Sequence, residues 1–404
     1  MTRSADREPT SGSRSRSPRP HSAGARTSTN ASQRPVSARR VALDALGRID
    51  GGAYANLAVR GVLEPVALSA PDRHFVTTLV NGVTRQRRAL DFRIGLFAKG
   101  DLDAETRRIL RLGAFQLTDL RVPAHAAVNE SVQLAPRRSQ GLVNAVLRRI
   151  AEAPEPMWPC AAVRLSYPDW IVAAFESDLG DDAIATLEAM NAPPPVHTRE
   201  DGYVQSRSSQ TVAALVPCRP GDRVLDLCAA PGGKATALAR REVAVTAVDR
   251  SPTRARLVAD NAARVAVSVP VVVADGAAPP FRARSFDHVL VDAPCSGLGA
   301  LHRRPDARWR IQASDVADLA ALQRRLLDAA IVVVRPGGTV TYSVCTLTAV
   351  ESLDVDEWLA LNYPGLAPME PPDGPWQPYG RGARVLPQAE GGDGMCVFRY
   401  RLIH

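Results

Sequence analysis

Two cysteines, Cys295 and Cys345, each stand directly after an apolar stretch rich in β-branched residues. A free cysteine is usually a small buried hydrophobe. At the end of a strand, however, a thiolate can act as a nucleophile where a positive charge or a helix end nearby lowers its pKa. The two positions therefore favour covalent chemistry by a thiolate, with both cysteines at one edge of a sheet.

Aspartates follow four such stretches in succession. Ligands bind outside the carboxyl ends of the strands in an open α/β sheet, so these positions are candidate ligand contacts. One aspartate alone is more often a cap or turn residue, but four together indicate a binding site. Asp249 follows the second stretch, where an acidic residue commonly hydrogen-bonds the ribose hydroxyls of an adenosine cofactor. The four are Asp226, Asp249, Asp275 and Asp292.

A glycine-containing turn follows Asp226 and leads into a helical pattern. Glycines let the backbone approach a cofactor closely, and the start of a helix offers free N–H groups. The turn does not match Gly-x-Gly-x-x-Gly, which disfavours a nicotinamide dehydrogenase, and it is not a phosphate-binding Walker A loop. Its candidate cofactor-binding residues are Cys228, Ala229, Ala230, Pro231, Gly232, Gly233 and Lys234.

A sheet must bring these residues together, and the pattern from about residue 223 onward predicts one. Short β-branched runs alternate with helical stretches, which indicates βαβ units and a doubly wound, mostly parallel sheet. A long helix with apolar periodicity over Val316–Val334 covers it. The predicted strands are Arg223–Leu227, Val243–Asp249, Val267–Asp275, Phe286–Pro294, Thr339–Cys345 and Met395–Leu402.

The N-terminal half of the chain has a different pattern. Apolar residues recur there at helical spacing and no alternating strand pattern is found, so we predict an all-α domain over 38–155. A connector with one helical piece follows over 156–205. The α/β domain then occupies 206–404.

The composition suits a globular protein with a basic extension. The 404 residues suffice for two or three domains at about 150 residues each. Residues 1–40 carry nine arginines against two acidic residues, so seven of the eight net positive charges lie there. Residues 1–37 are rich in Ser, Arg and Pro and poor in apolar residues, which predicts a disordered basic tail. It would contact RNA phosphates, or serve as a solubilising tail or a transit peptide.

Several classes of protein are disfavoured. No apolar stretch approaches the roughly 20 residues of a membrane span. The six cysteines form no Cys-x-x-Cys pair and no His/Cys cluster has zinc-ligand spacing, so we expect no metal site and no disulfide scaffold. The N-terminus lacks the apolar core of a signal peptide. We therefore expect a reducing, cytoplasmic setting.

Three strings in order identify a family. Cys228-Ala-Ala-Pro-Gly-Gly-Lys234, Asp292-Ala-Pro-Cys-Ser-Gly297 and Tyr342-Ser-Val-Cys345 resemble motifs of the cytosine-C5 RNA methyltransferases, which use S-adenosyl-L-methionine. The helical half, with Val128–Val132 and Val143–Arg149, is similar to the NusB-like RNA-binding domain. Apart from its tail, the chain resembles the Sun/Fmu (RsmB-type) 16S ribosomal RNA cytosine-C5 methyltransferases.

The resemblance implies a Rossmann-like class I methyltransferase domain preceded by a NusB-like domain, with RNA as the partner and no obligate protein partner. S-adenosylmethionine would be bound by the turn at 228–234 together with Asp249, Asp275 and Asp292. Cys345 would be the nucleophile that adds to carbon 6 of cytosine. Cys295 would assist release of the product, and Asp292 would stabilise the charge that develops on the ring near N3.

Three departures from the family's pattern accompany this resemblance. Val344 replaces the threonine usual before the nucleophile, the run Ala349-Val-Glu-Ser352 lacks the full Pro-Glu-Glu-Asn string, and the segment between Arg199 and Gly202 is shorter. Three alternatives stay open: the same chemistry on transfer RNA, a non-catalytic RNA-binding factor, and exchanged roles for the two cysteines. DNA cytosine methyltransferases attack with their Pro-Cys cysteine, the position of Cys295.

One further segment is rich in cations. His302–Arg310 contains four arginines and Trp309 beside the Cys295 loop. Arginines suit phosphates and an exposed Trp309 would stack on a base. The alternative is a solvated loop with Trp309 anchored in the core.

Overall fold

The structure is a computed structural model that describes residues 36–404. The predicted basic tail, residues 1–37, lies outside the described residues except for its last two. Up to Glu152 the described chain is helical, which confirms the predicted all-α region. Besides a 3-10 turn at Arg137–Ser139, its helices are α1 (Ala38–Asp50), α2 (Ala55–Leu63), α3 (Ala70–Arg85), α4 (Arg87–Gly95), α5 (Ala104–Thr118), α6 (Ala124–Leu134) and α7 (Gln140–Glu152).

These helices pack around one apolar core, and α5 shows how the sequence builds it. Asp103 caps the helix, because its carboxylate accepts bonds from the backbone N–H and the hydroxyl of Thr106, each at 2.9 Å. Leu110 and its apolar neighbours on the same face are fully buried. The helix ends at Thr118, where the Val122 amide turns back to the Gln116 carbonyl at 2.8 Å and Arg121 has a left-handed backbone with φ +51°.

The predicted connector contains three helices and belongs to the core of the sheet. They are α8 (Ala161–Arg164), α9 (Asp169–Leu179) and α10 (Asp182–Ala189). Phe175 and Leu187 are fully buried, in the same apolar cluster as the strands. The division at 155/156 and 205/206 remains a prediction.

The α/β part holds nine strands and six helices. The strands are β1 (Arg223–Asp226), β2 (Ala244–Asp249), β3 (Val271–Val273), β4 (Phe286–Asp292), β5 (Val334–Val344), β6 (Leu366–Pro368), β7 (Gln377–Tyr379), β8 (Gly382–Val385) and β9 (Met395–Leu402). The helices are α11 (Arg207–Leu215), α12 (Gly233–Ala239), α13 (Pro252–Arg264), α14 (Ala313–Val333), α15 (Leu353–Asn362) and α16 (Pro387–Glu390), with 3-10 turns at Ala307–Trp309 and Ala349–Glu351.

The strand order determines where a ligand can bind. It runs β3-β2-β1-β4-β5-β9-β8-β7, with β6 also paired to β9. The first five strands are parallel and β9 is antiparallel to β5, which confirms a doubly wound, mostly parallel sheet. The chain order reverses between β1 and β4. Ligands of open α/β sheets bind outside the carboxyl ends at such a switch point, and Asp226 and Asp292 end these two strands.

Several strand boundaries differ from the sequence-based prediction. β3 has three residues where we predicted Val267–Asp275, because it is an edge strand with a partner on one side only. β6, β7 and β8 were not predicted, since three or four residues are too few for a period-2 pattern to be distinctive. The last strand, Met395–Leu402, agrees with the prediction.

The segment His302–Arg310 joins the helical part to the sheet part, which agrees with the alternative of an anchored Trp309 and not with a ring free to stack on a base. Arg308 is fully buried and donates to the Ser166 carbonyl at 3.1 Å and to the Asn191 side chain at 2.9 Å. Arg85 of α3 donates to the His302 carbonyl at 3.0 Å. Burial, and then the charge of Arg308, lower the pKa of Arg85 to about 10.

Trp309 is held in the same junction. Its indole N–H donates to the Thr84 carbonyl at 2.7 Å, so the ring is anchored rather than free to stack on a base. Arg310 donates to the Gly52 carbonyl at 2.7 Å and lies 4.0 Å from the centre of the Tyr54 ring. Arg308 and Arg310 therefore join the helical part to the sheet part.

No helix within residues 36–404 combines the length and the hydropathy that crossing a bilayer requires.

Candidate active site

The turn between β1 and α12 forms the first part of the site. It runs through Cys228 and Ala229, then through the bond from Ala230 to Pro231, which is cis. Gly232 has φ +103°, and a Cβ there would lie 3.2 Å from the Val258 Cα of α13. Only glycine combines that backbone conformation with so close an approach.

A second loop, which consists of residues 197–205, contacts this turn and supports it. The guanidinium of Arg199 donates to the Gly233 carbonyl at 2.6 Å and to the Thr236 hydroxyl at 3.1 Å. Arg199 is itself paired with Asp201 at 2.5 Å. Residues 199–202 therefore form a tight turn that supports the glycine turn.

The four predicted aspartates lie at four strand ends, in different environments. Asp249 is buried, and its carboxylate accepts from the Ser251 amide at 2.9 Å and lies 3.5 Å from Arg254. Asp275 is exposed and accepts from the Ala277 amide at 3.0 Å. Both aspartates therefore also stabilise local turns.

Asp226 differs from the other three because it is completely buried. Neither of its carboxyl oxygens has a well-aligned hydrogen-bond partner among the described residues. Burial, and then the nearby charge of Asp292, raise its pKa to about 7. An unpartnered polar group in so buried a place suits a ligand that brings its own donor.

Lys234 and Asp292 form a close ion pair across the switch point. The Lys234 Nζ lies 2.6 Å from one Asp292 oxygen, and the Ser343 hydroxyl donates to the other at 2.8 Å. Burial lowers the pKa of Lys234, but the charge and hydrogen bond of Asp292 outweigh it, and the pKa lies above its ordinary value. Lys234 is one of two lysines in a chain whose other basic residues are all arginines.

The two cysteines lie side by side. Asp292 of β4 is in register with Ser343 of β5, so the loops that leave these two strands start together. These loops carry Cys295 and Cys345, whose sulfur atoms are 3.3 Å apart. Both cysteine side chains are partly exposed. The hydrogen bond with Cys345, and then burial, raise the pKa of Cys295 well above its usual value.

Cys228 has a different environment from this pair. Burial, and then the charges of Asp226 and Asp292, raise the pKa of its thiol. A thiol that resists ionisation in this way is a poor nucleophile. Its place is in the wall of the turn.

The sequence was compared with known proteins. A model of the family described as "16S rRNA methyltransferase RsmB/F" matches residues 213–401, and one of the NusB family matches residues 36–152. The ribosomal RNA small subunit methyltransferase B of Thermus thermophilus is 36% identical over 91% of this chain and 98% of its own. The chain belongs to the RsmB/F family of 16S ribosomal RNA methyltransferases. The corresponding protein of Xylella fastidiosa is 32% identical over 83% of this chain and 93% of its own.

Solved structures agree on the fold of this methyltransferase. The crystal structure of PH0851 has a TM-score of 0.74, covering 90% of this chain and 98% of its own, at 19% identity. A methyltransferase homologue from Pyrococcus horikoshii has a TM-score of 0.50 and covers 60% of this chain. The enzyme is thus an S-adenosylmethionine-dependent RNA methyltransferase with a Rossmann-like domain and a NusB domain.

The residues at the switch point fit the cofactor. The buried Asp226 carboxyl has no well-aligned hydrogen-bond partner among residues 36–404, which fits a ligand that brings a hydrogen-bond donor. Within residues 36–404, by contrast, no group of three or more His, Cys, Asp or Glu side chains is placed to hold a metal ion.

Sequence reasoning missed a buried carboxylate behind the cysteines. Glu351 is fully buried and accepts from the Ser296 amide at 2.8 Å and from the Ser296 hydroxyl at 2.5 Å. It lies in the run Ala349–Ser352, which we considered only as a departure from the family's string. A glutamate next to apolar residues in a short turn was the available signal.

The loop between α16 and β9 contacts the loops that carry Cys295 and Cys345. The Gly394 amide donates to the Gly299 carbonyl at 2.8 Å, and the Gly299 amide donates to the Cys345 carbonyl at 3.0 Å. A Cβ at Gly299 would lie 2.2 Å from the Gly394 carbonyl oxygen, so this contact requires glycine. Burial raises the pKa of Asp393, but His302 and Arg303 lower it further, to about 2.

A groove lies between the NusB domain and the methyltransferase domain. It has a volume of about 1550 Å³ and lies between α2 and α3 on one side and α13 and α14 on the other. Ser296, next to Cys295, lies in its wall. Three aspartates also line it, against six arginines: Arg60, Arg254, Arg303, Arg304, Arg310 and Arg325.

Proposed function

We propose that this methyltransferase transfers a methyl group from S-adenosylmethionine to carbon 5 of a cytosine in 16S ribosomal RNA, through a covalent bond between Cys345 and the base. The observation that carries the proposal is the pair of thiols, Cys295 and Cys345, 3.3 Å apart beside the ion pair of Lys234 and Asp292. Such a constellation suits nucleophilic catalysis with proton transfer.

The chemistry explains why two thiols are useful. Carbon 5 of cytosine is too weak a nucleophile to take a methyl group from a sulfonium. Addition of the Cys345 thiolate to carbon 6 forms a C–S bond and an enamine, whose carbon 5 is nucleophilic. The bound cofactor supplies the electrophilic methyl group. Afterwards the carbon-5 proton passes to a water molecule while the C–S bond breaks and its electron pair returns to the Cys345 sulfur, and Cys295 is placed to protonate that sulfur.

Asp292 and Lys234 are the ionisable groups that we expect to stabilise the cytosine ring during the reaction. Negative charge develops on the cytosine ring when the thiolate adds, and a proton donor or cation near N3 stabilises it. We assign this task to Asp292, which would take a proton from the Lys234 ammonium 2.6 Å away and present it to N3, while the Ser343 hydroxyl holds its other oxygen. Asp292 would also border the cofactor, together with the turn at 228–234, Asp249 and Asp275.

The groove supports RNA as the substrate. Six arginines and three aspartates line the groove, so its walls carry excess positive charge beside the cysteine loops. A cytosine must be unpaired or flipped out to reach carbon 6. A strand in the groove would deliver it to Ser296 and Cys295. A reducing cytoplasm is the setting we propose, because both thiols must stay reduced to act.

The decisive test is methyl transfer from labelled S-adenosylmethionine to naked 16S RNA, to small-subunit particles and to transfer RNA. Nucleoside digestion followed by mass spectrometry should place the label on 5-methylcytidine from small-subunit RNA. Label on a ribose or on another base would contradict the proposed chemistry. Label on transfer RNA alone would mean that transfer RNA is the substrate. No transfer to any RNA would favour the alternative of a non-catalytic RNA-binding factor.

Asp249→Ala is expected to weaken cofactor binding. A hydrogen bond to a charged group typically contributes about 1.5–3 kcal/mol, so the Kd should rise roughly 10- to 150-fold. Titration calorimetry measures it, with Asp260→Ala as control, because Asp260 is an exposed aspartate on the adjacent helix. An unchanged Kd, with a melting temperature equal to that of the parent, would remove Asp249 from the cofactor site.

A further inference from the structure

The buried carboxylate of Glu351 is surrounded by neutral donors. Besides the two bonds from Ser296, it accepts from the Gln323 amide and the Thr348 hydroxyl, each at 3.1 Å. All the donors that the described residues offer it are therefore uncharged. Burying a charge without a counter-ion is costly, and mere packing at this place would be served by a neutral side chain.

The contacts of Glu351 reach both cysteine loops. Ser296 is the residue after Cys295, and its hydroxyl oxygen also lies in hydrogen-bond contact with the Thr346 hydroxyl at 2.9 Å. Thr346 is the residue after Cys345. One carboxylate thus lies a single side chain behind each thiol.

The other flank of Cys295 is tied to the same cluster. Gln323 of α14 donates to the Pro294 carbonyl at 2.9 Å as well as to Glu351. The Tyr342 hydroxyl shares its proton between the Gln323 side-chain oxygen at 2.9 Å and the Glu351 carbonyl at 2.6 Å. The residues on both sides of Cys295 are therefore held by Glu351 or by its direct partner.

We propose that Glu351 is a positioning residue for the methyl-transfer reaction: it clamps the Cys295 loop against the Cys345 loop and keeps Cys295 in its thiol form. The proposal rests on the proposed cysteine mechanism. A clamp maintains the contact between the two sulfur atoms, and the carboxylate behind Cys295 favours the thiol form of that cysteine.

The electrostatics agree with the geometry. After the hydrogen bond with Cys345, burial and the charge of Cys345, the charge of Glu351 is a further cause that raises the pKa of Cys295. A thiol that keeps its proton can donate it, for example to the sulfur of Cys345 as that atom leaves carbon 6. Without the charge, the pKa of Cys295 falls and its thiolate forms at lower pH.

The first test needs no RNA. Alkylation of the two cysteines by iodoacetamide is followed across pH by mass spectrometry of the peptides, in the parent and in Glu351→Gln. Glutamine keeps the shape and an acceptor oxygen but removes the charge. The midpoint for Cys295 should fall by on the order of one pH unit. Glu357→Gln, an exposed glutamate on α15, is the control and should leave it unchanged.

The second test measures the clamp. Ser296→Ala removes the hydroxyl bonds to Glu351 and Thr346 but keeps the charge, so it should slow single-turnover methyl transfer without moving the alkylation midpoint. Because an ångström of misplacement costs up to about 100-fold, a fall of roughly 10- to 100-fold is expected. Glu351→Gln should slow transfer similarly, with cofactor affinity within twofold of the parent.

Three results would overturn the proposal. They are an unmoved midpoint in Glu351→Gln, full activity in both variants, or a Ser296→Ala variant that moves the midpoint as far as Glu351→Gln does. If the parent forms no 5-methylcytidine, the proposed function fails instead, and the alkylation profile still decides whether Glu351 controls Cys295.

Discussion

Replacing Cys345 by alanine is expected to abolish methyl transfer. Without its sulfur no bond to carbon 6 can form, so carbon 5 stays unreactive. Removal of a catalytic nucleophile typically costs a factor on the order of 10⁴ to 10⁶ in kcat. The variant should bind S-adenosylmethionine normally by calorimetry and should give no enzyme–RNA species on denaturing gels.

Cys295→Ala is expected to behave differently. Cys345 can still attack and the base can still be methylated, but elimination lacks the neighbouring thiol. A covalent enzyme–RNA species should therefore accumulate and survive denaturation, while turnover stops after about one equivalent of label is incorporated. The two sulfur atoms lie 3.3 Å apart. A difference between Cys345→Ala and Cys295→Ala therefore reports the chemical role of each thiol and not its position.

Cys160→Ala serves as the control for both variants, because Cys160 is an exposed cysteine outside the site. Full activity is expected from it. A stable adduct from Cys345→Ala and none from Cys295→Ala would reverse the assignment. The reversed assignment is a real alternative because Val344 precedes Cys345, whereas the family that the motifs resemble usually has threonine before the nucleophile. Adducts from neither variant, with intact cofactor binding, would point to a substrate that does not reach the site.

Asp292→Asn is expected to reduce the rate of methyl transfer about 100- to 1000-fold at saturating cofactor, the range seen when one stabilising group is removed from an active site. The substitution keeps the shape but removes the negative charge 2.6 Å from the Lys234 Nζ. Burial then dominates at Lys234 and its pKa falls, because the opposing attraction is gone.

Single-turnover rates at several cofactor concentrations separate the two roles assigned to Asp292. If saturating cofactor restores the parent rate, Asp292 binds the cofactor and takes no part in stabilising the ring. Asp260→Asn is the matched control, because its side chain is exposed on α13. It should have the parent's rate.

Local signals account for much of the agreement between sequence and structure. The helical period of residues 39–150 and the alternation from residue 223 depend on neighbours a few positions apart, which any single sequence displays. Parallel strands present their carboxyl ends at one edge, so the order of the motifs already placed Asp226, Asp249 and Asp292 together. Edge strands and the short strands β6 to β8 carry too few residues for such a pattern.

The role of residues 302–310 could not be read in this way. Their arginines have the composition of an RNA-binding loop, yet Arg308 is buried against Ser166 and Trp309 donates to Thr84. Each partner lies more than 140 positions away in the chain. Whether an arginine meets a phosphate or a carbonyl depends on what folds against it.

The sequence by itself determined the family, the order of the elements and the residue types at each strand end, because these depend on strings and periods within short stretches. Only the tertiary structure decided the contacts between elements: the adjacent sulfurs of Cys295 and Cys345, the unpartnered Asp226, and Glu351 behind both thiols. The two cysteines are 50 positions apart, and β4 and β5 bring them into contact only when the strands pair in one register. Such register depends on the packing of the whole sheet, which no local pattern contains.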